Sequence, residues 1–195
     1  MLSRRSLLAA AGGLVAIPLL ARAADDRMAP RADGSPSARN VVEEWFSFTC
    51  PHCADFALND YPEIKAKLVD TGRVRFVFRE YPRDKTDLAA ALVARSLPAS
   101  RYEPFVMALF ANQKHWAYDP AVDPTEELAK MAGLAGLPRD AFDRALADDA
   151  LKTALLQAQT EAEQKYNIDS TPTFIINGKP HAGELTYAQF AALLS

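Results

Sequence analysis

Cysteine and histidine are scarce in this 195-residue chain, which contains only two cysteines and three histidines. A structural zinc site needs four ligands held close together. His115 and His181 stand in segments far from both cysteines. We therefore expect neither a metal nor a cofactor, and a metal-binding dithiol domain is retained only as an alternative interpretation.

The chain also lacks an excess of basic residues, because its formal net charge is −3. Removing residues 1–23 takes away three arginines and no acidic residue, so the charge falls from −3 to −6. Nucleic-acid binding depends on basic patches. We expect no nucleic-acid partner.

No apolar run is long enough for a membrane-spanning helix, which needs about 20 residues. Arg4 and Arg5 precede an uncharged apolar stretch over residues 6–20, and Ala21-Arg22-Ala23 is typical of a signal-peptidase site. The pattern predicts a cleaved export signal over residues 1–23, by the secretory or the twin-arginine route. Export places the chain in an oxidising compartment, where a cysteine pair can persist as a disulfide.

The two cysteines stand three residues apart in Cys50-Pro51-His52-Cys53. A disulfide between them would close almost no loop and would add little stability. The motif follows a strand-like run and precedes a helix-like one. A lone C-x-x-C pair in this position is typical of dithiol redox chemistry.

The residues around the motif predict a βαβ unit. Residues 24–40 have no hydrophobic periodicity, and we expect an extended lead with little structure of its own. Strands are predicted over 41–48 and 73–81. A helix from Pro51 to about Val69, ending near Gly72, joins them, so the strands should be parallel.

The rest of the chain predicts a helical block followed by a ββα unit. Helical periodicity runs from Asp84 to about Tyr166, with a helix start at Asp123-Pro124-Thr125-Glu126. Thr173–Ile176 and Lys179–Ala182 should form a hairpin around Asn177-Gly178. A capping box at Thr186 should then open a terminal helix.

The predicted helix start makes one thiol reactive. Cys50 falls near the N-cap, Pro51 at the first helical position and Cys53 one turn further along the same face. Unpaired N–H groups and the positive end of the helix dipole favour a thiolate on Cys50. His52 can add positive charge or a hydrogen bond to that anion. A stabilised thiolate favours the dithiol form, so the couple should be oxidising.

Two positions outside the motif are candidates for supporting roles. Glu44 can lie beneath Cys53 and relay its proton, although Glu43 is an equal candidate by position. Pro172 can shape a tight turn that exposes the backbone of Thr171. The residues alone favour a trans peptide bond at Pro172.

Two segments together resemble the DsbA family of bacterial periplasmic thiol:disulfide oxidoreductases. The first runs from Val42 to Cys53, and the second is Ser170-Thr171-Pro172-Thr173-Phe174-Ile175-Ile176-Asn177-Gly178-Lys179. The resemblance implies a thioredoxin fold over residues 41–195, with a helical insertion at about 84–165. It also implies that Cys50 is the nucleophile, Cys53 the resolving thiol and Pro172 a cis-proline facing them. Glu44 matches the family's buried acid, and Arg79 is a candidate basic partner for it.

The same resemblance implies a function. The chain would be a periplasmic enzyme that donates a disulfide to reduced, unfolded exported polypeptides, and a membrane quinone-linked partner would reoxidise it. Thr171 departs from the valine of the best-known oxidase, so a disulfide reductase or isomerase of the same fold is the alternative. The short lead before Val41 has no room for a dimerisation domain, and we expect a monomer.

Overall fold

The computed structural model describes residues 26–194, and the predicted signal peptide falls outside them. Five strands form one sheet in the order β1-β3-β2-β4-β5. Their bounds are Arg31–Asp33 (β1), Asn40–Phe46 (β2), Val74–Glu80 (β3), Thr173–Ile176 (β4) and Lys179–Ala182 (β5). No helix between residues 26 and 194 is long and apolar enough to cross a membrane.

The predicted βαβ unit is confirmed, since β2 and β3 pair in parallel. The connection contains two α-helices, Pro51–Asp55 (α1) and Tyr61–Ile64 (α2). A π-helical turn follows each of them, Phe56–Asp60 after α1 and Lys65–Val69 after α2. The helical stretch therefore ends at Val69 as predicted, and Gly72 turns the chain with a φ of +77°.

The lead is more ordered than the sequence indicated. A 3₁₀ turn spans Asp26–Met28, and β1 pairs antiparallel with β3 at the edge of the sheet. The prediction of a lead with little structure of its own is therefore wrong for these residues. A three-residue strand is too short to show the alternation by which strands are recognised.

A helical insertion connects β3 to β4, in the position that the sequence predicted. It comprises Lys85–Ser96 (α3), Ala99–Ala111 (α4), Gln113–Trp116 (α5), Pro124–Leu134 (α6), Arg139–Leu146 (α7) and Asp149–Tyr166 (α8). Asp123 caps α6 by accepting hydrogen bonds from the N–H groups of Thr125 and Glu126. The insertion packs on the sheet partly through Phe110, whose ring centroid lies 5.6 Å from that of Phe46.

The C-terminal ββα unit is also confirmed. β2 pairs antiparallel with β4, and β4 with β5. Asn177 and Gly178 both have positive φ angles, 49° and 84°, as a type I′ hairpin requires. Tyr187–Ala192 (α9) begins at the predicted capping box, with Thr186 and Gln189 bonded reciprocally. Together these elements form a thioredoxin fold with a helical insertion.

Candidate active site

Cys50 occupies the N-cap of α1, where the sequence placed it. Its backbone is extended (φ −86°, ψ 119°), and Pro51 opens the helix. The chain reaches this point from the end of β2 through the loop 47–49. The Cys50 residue is almost fully buried, but one wall of a surface cavity includes it together with Thr49, Arg83 and Tyr118.

The surroundings of the Cys50 sulfur favour the thiolate and lower its pKa to about 5. The largest cause is a hydrogen bond from the Cys53 thiol, and donors on Thr171 and on the backbone of Cys53 and His52 add to it. Burial acts in the opposite direction and is outweighed. The backbone contribution is the one expected of unpaired N–H groups in the first turn of a helix.

Cys53 has the opposite character. Its side chain is completely buried, and burial raises the pKa of its thiol well above 9.0. Its hydrogen bond to Cys50 and the negative charge of Glu44 raise the pKa further. The motif therefore contains one thiol that ionises readily and one that holds its proton.

The turn before β4 faces the dithiol. The Thr171–Pro172 peptide bond is cis, as the resemblance implied, and the trans bond favoured by the residues alone is wrong. The Cys50 thiol donates a hydrogen bond to the Thr171 carbonyl oxygen, with an Sγ–O distance of 3.3 Å. Residue preferences at an X-Pro bond depend only on neighbouring residues. The contact between Cys50 and Thr171 joins residues that are 121 positions apart, so those preferences do not include it.

The Thr171 hydroxyl is buried and has no hydrogen-bond partner within residues 26–194. A hydroxyl group can rotate to donate or to accept. The Thr171 carbonyl can therefore accept a hydrogen bond from the Cys50 thiol, and the Thr171 hydroxyl can donate one to the Cys50 thiolate.

Glu44 is buried on the face of β2 that lies under the motif. Burial, together with the negative charge of Cys50, raises the pKa of Glu44 to about 8. Its Oε1 atom is buried and has no hydrogen-bond partner within the described part of the chain. A buried carboxyl that gains and loses its proton near neutral pH is suited to accept the proton of Cys53.

Arg79 is not the partner of Glu44. Its guanidinium bonds Glu43, with an Nε–Oε2 distance of 3.2 Å. Neighbouring residues of a strand point to opposite faces of the sheet. Arg79 pairs in register with Trp45, which places it on the face of Glu43 and away from Glu44.

The imidazole of His52 points to solvent and not to the sulfur. The side chain is 74% exposed, and Nδ1 bonds a carboxylate oxygen of Glu184, in the loop between β5 and α9. The group of His52 that contributes to the lowered pKa of Cys50 is its backbone N–H. Glu184 is 132 residues away in sequence, and no sequence motif indicated it.

Sequence reasoning also missed a group of polar side chains that hold the loop before Cys50. They come from the segment that begins at the N-cap of α3, and they are Asp84, Asp87, Gln113 and Tyr118. None of them belongs to a recognisable motif. Within residues 26–194 no group of three or more histidine, cysteine, aspartate or glutamate side chains is arranged to hold a metal ion.

A dithiol at the start of the first helix of this sheet, opposite a turn containing a cis-proline, defines a thioredoxin-fold dithiol protein. Residues 27–195 match the family model described as Thioredoxin. The chain belongs to this family, and its likeness to known proteins places it in the DsbA-like group.

The similar proteins agree with that placement. A Rickettsia prowazekii protein, provisionally named a protein-disulfide oxidoreductase, is 31% identical over 146 residues, 74% of this chain and 53% of the relative. The crystal structure of Wolbachia pipientis alpha-DsbA1 matches with a TM-score of 0.78 at 29% identity, covering 85% of this chain and 89% of that chain. The crystal structure of a protein-disulfide isomerase from Novosphingobium aromaticivorans matches with a TM-score of 0.72 at 26% identity, covering 83% of this chain and 96% of that chain. The chain spans about half the length of the curated relatives it matches.

Proposed function

We propose that this chain is a thiol:disulfide oxidoreductase that donates the Cys50–Cys53 disulfide to exported proteins. The observation that carries the proposal is the contrast between the two thiols. The pKa of Cys50 is lowered to about 5, whereas that of Cys53 is raised well above 9.0. A thiol of low pKa is the better leaving group, and its stabilised anion favours the reduced form.

The reaction has two exchange steps. A client thiolate attacks the Cys50 sulfur of the oxidised enzyme, and the bond between Cys50 and Cys53 breaks. Cys53 leaves with the electron pair and takes up a proton, for which Glu44 is the nearby acid. A second client thiolate then attacks the client sulfur of the mixed disulfide, and Cys50 leaves as a thiolate. The client gains a disulfide, and the enzyme is left as a dithiol.

Thr171 and Pro172 would form the surface on which the client lies. The Thr171 carbonyl already faces Cys50, so an extended client segment can add alongside this turn through main-chain hydrogen bonds. Such contacts involve groups common to all peptides, which suits an enzyme with many unfolded clients. We place the enzyme in the periplasm as a monomer, with a membrane quinone-linked partner that restores the disulfide.

A disulfide isomerase or reductase is the second candidate. It is favoured by the threonine before Pro172 and by the name of the Novosphingobium relative. An isomerase begins with a reduced Cys50, which attacks a wrong client disulfide. The low pKa of Cys50 serves that reaction as well, so the direction depends on the reduction potential and on the resident thiol state.

The deciding experiment measures the reduction potential against glutathione and traps the thiol state in cells. We expect a potential well above that of thioredoxin, about −270 mV, and a resident disulfide. A potential near the thioredoxin value, with the pair found as dithiol, would establish the reductase alternative. Cys53→Ala should accumulate a mixed disulfide between Cys50 and client, whereas Cys50→Ala should accumulate none.

A further inference from the structure

The loop that leads into Cys50 is held by hydrogen bonds to its own Ser47 and by side chains from outside the βαβ unit. Asp87 accepts a hydrogen bond from the Phe48 N–H at 2.7 Å, and Asp84 accepts one from the Thr49 hydroxyl at 2.7 Å. The Tyr118 hydroxyl donates to the Thr49 carbonyl. The Ser47 carbonyl accepts a hydrogen bond from the Cys50 N–H at 3.1 Å, and the carbonyls of Phe48 and Cys50 have one side-chain donor in common.

That shared donor is the side-chain amide of Gln113, the first residue of α5. Its Nε2 atom lies 2.8 Å from the Phe48 oxygen and 2.9 Å from the Cys50 oxygen. Gln113 is buried, with 4% of its surface exposed. A side-chain amide nitrogen carries two hydrogens, so each hydrogen has one of the two carbonyls as its acceptor.

The Cys50 carbonyl is the one that matters for the sulfur. It also accepts the first helical hydrogen bond of α1, from the Ala54 N–H at 3.2 Å. The orientation of this carbonyl sets the ψ angle of Cys50, which is 119°. An N-cap residue needs such an extended backbone if its side chain is to face the N–H groups of the first turn.

We infer that Gln113 is a positioning residue for Cys50. By fixing the carbonyls on either side of Thr49, it holds Cys50 in the conformation that turns its sulfur toward the helix N-terminus. The inference rests on the proposed function only in taking Cys50 as the reacting thiol. It assigns to the helical insertion a part in tuning the dithiol, in addition to covering the sheet.

The test replaces Gln113 by methionine, which keeps the length of the side chain and removes the donor. The thiolate absorbance of the reduced protein is followed with pH, and the equilibrium with glutathione is measured. We expect the pKa of the Cys50 thiol to rise by about one unit. The equilibrium with glutathione should then shift about tenfold toward the disulfide form of the enzyme, because one pKa unit corresponds to a factor of ten.

Two further variants make the result interpretable. Gln113→Asn retains a buried amide but is too short to reach both carbonyls, so it should shift the titration in the same direction by less. Gln157→Met alters an exposed glutamine of α8, which bonds Glu161, and should change neither measurement.

A structural role alone would lower the stability to denaturant and leave the titration and the glutathione equilibrium unchanged. That result would overturn the inference, as would failure of both Gln113 variants to fold. The thiolate titration needs no client. An inactive wild-type protein whose titration still responds to Gln113→Met would therefore refute the proposed function and leave this inference standing.

Discussion

The Cys50 sulfur and the Thr171 carbonyl oxygen are 3.3 Å apart, across 121 residues of sequence. This contact joins the start of the first helix of the βαβ unit to the turn that opens the ββα unit. The hydroxyl of the same residue is buried, and it can rotate to donate a hydrogen bond to the Cys50 thiolate. One residue of the turn therefore contacts both protonation states of the reactive thiol.

Replacing Thr171 by valine should make Cys50 less acidic. The substitution keeps the carbonyl and the shape of the side chain but removes the hydroxyl donor to the thiolate. We expect the pKa of Cys50 to rise above about 5 by up to one unit, with a matching loss of oxidising power. Thr173→Val is the control, because that hydroxyl donates to the Ser170 carbonyl and not to sulfur. Equal titrations of wild type and Thr171→Val would refute the role of the hydroxyl.

The His52 ring should act on Cys50 only when Glu184 no longer holds it. Replacing His52 by alanine removes a ring that bonds Glu184 but keeps the backbone N–H that lowers the pKa of Cys50, so that pKa should change little. Replacing Glu184 by glutamine removes the carboxylate that now holds the ring, so the pKa of Cys50 should fall. Thiolate absorbance of the two single variants and the double variant measures both effects. The Glu184→Gln shift should shrink when alanine replaces His52, and an undiminished shift would show that Glu184 acts independently of the ring.

The buried Glu44 should make the stability of the reduced protein depend on pH. Its pKa is about 8 in the folded chain, above the ordinary 4.5, so between these values the folded state binds more protons than the unfolded state. This contribution to stability therefore falls as pH rises from about 4.5 to about 8, by at most about 1.4 kcal/mol per pH unit.

Glu44→Gln should remove the slope between about pH 7 and pH 8 and stabilise the protein at pH 8. Below that window Asp87 contributes a slope of the same sign, because burial raises its pKa to about 7. Unfolding by denaturant should be compared in a Cys50→Ser background, because Cys50 contributes a slope of opposite sign. Its pKa is lowered to about 5 from 9.0, so its contribution grows as pH rises between those values. Glu43→Gln is the matched control, since Glu43 is bonded to Arg79 and only partly buried. A slope between about pH 7 and pH 8 that survives Glu44→Gln would assign the pH dependence there to another group.

The buried pair of Glu80 and Arg95 should be essential for stability. Both side chains are almost fully buried, and two hydrogen bonds of 2.7 Å join them. Arg95→Met leaves the buried Glu80 carboxylate without its positive partner, although the Tyr102 hydroxyl still donates to it, and this costs about 3–5 kcal/mol. Arg144→Met, which breaks an exposed pair with Asp140, should leave the stability to denaturant almost unchanged. A double variant, Glu80→Gln with Arg95→Met, should recover part of the loss if the unpaired charge is its cause.

The chemistry of the motif could be predicted because it is local. The N-cap position of Cys50, the proline after it and the hairpin at Asn177-Gly178 all follow from residues adjacent in sequence. The alternation of side chains along a strand also predicts that Arg79 lies on the same face as Glu43, provided that the parallel register of β2 and β3 is known.

The side chains that hold the loop before Cys50 could not be predicted, because they are distant from it in sequence. Gln113 reaches the Phe48 carbonyl across 65 residues, and Asp87 reaches the Phe48 N–H across 39. Each is a single polar residue in a helical segment, where a solvent-exposed role is the ordinary expectation. Only the packing of the insertion against the end of β2 shows that these two are buried and bonded to the loop.

The edge strand β1 and the backbone just before it belong to the folded unit. Arg95 donates to the carbonyls of Arg27 and Ala29 as well as to Glu80, so the backbone just before β1 is anchored in the protein interior. A chain shortened to begin at Asn40 would leave a guanidinium group short of acceptors and would uncover the edge of β3. An uncovered edge of that kind can recruit strands from other molecules, so shortened versions of this protein should self-associate.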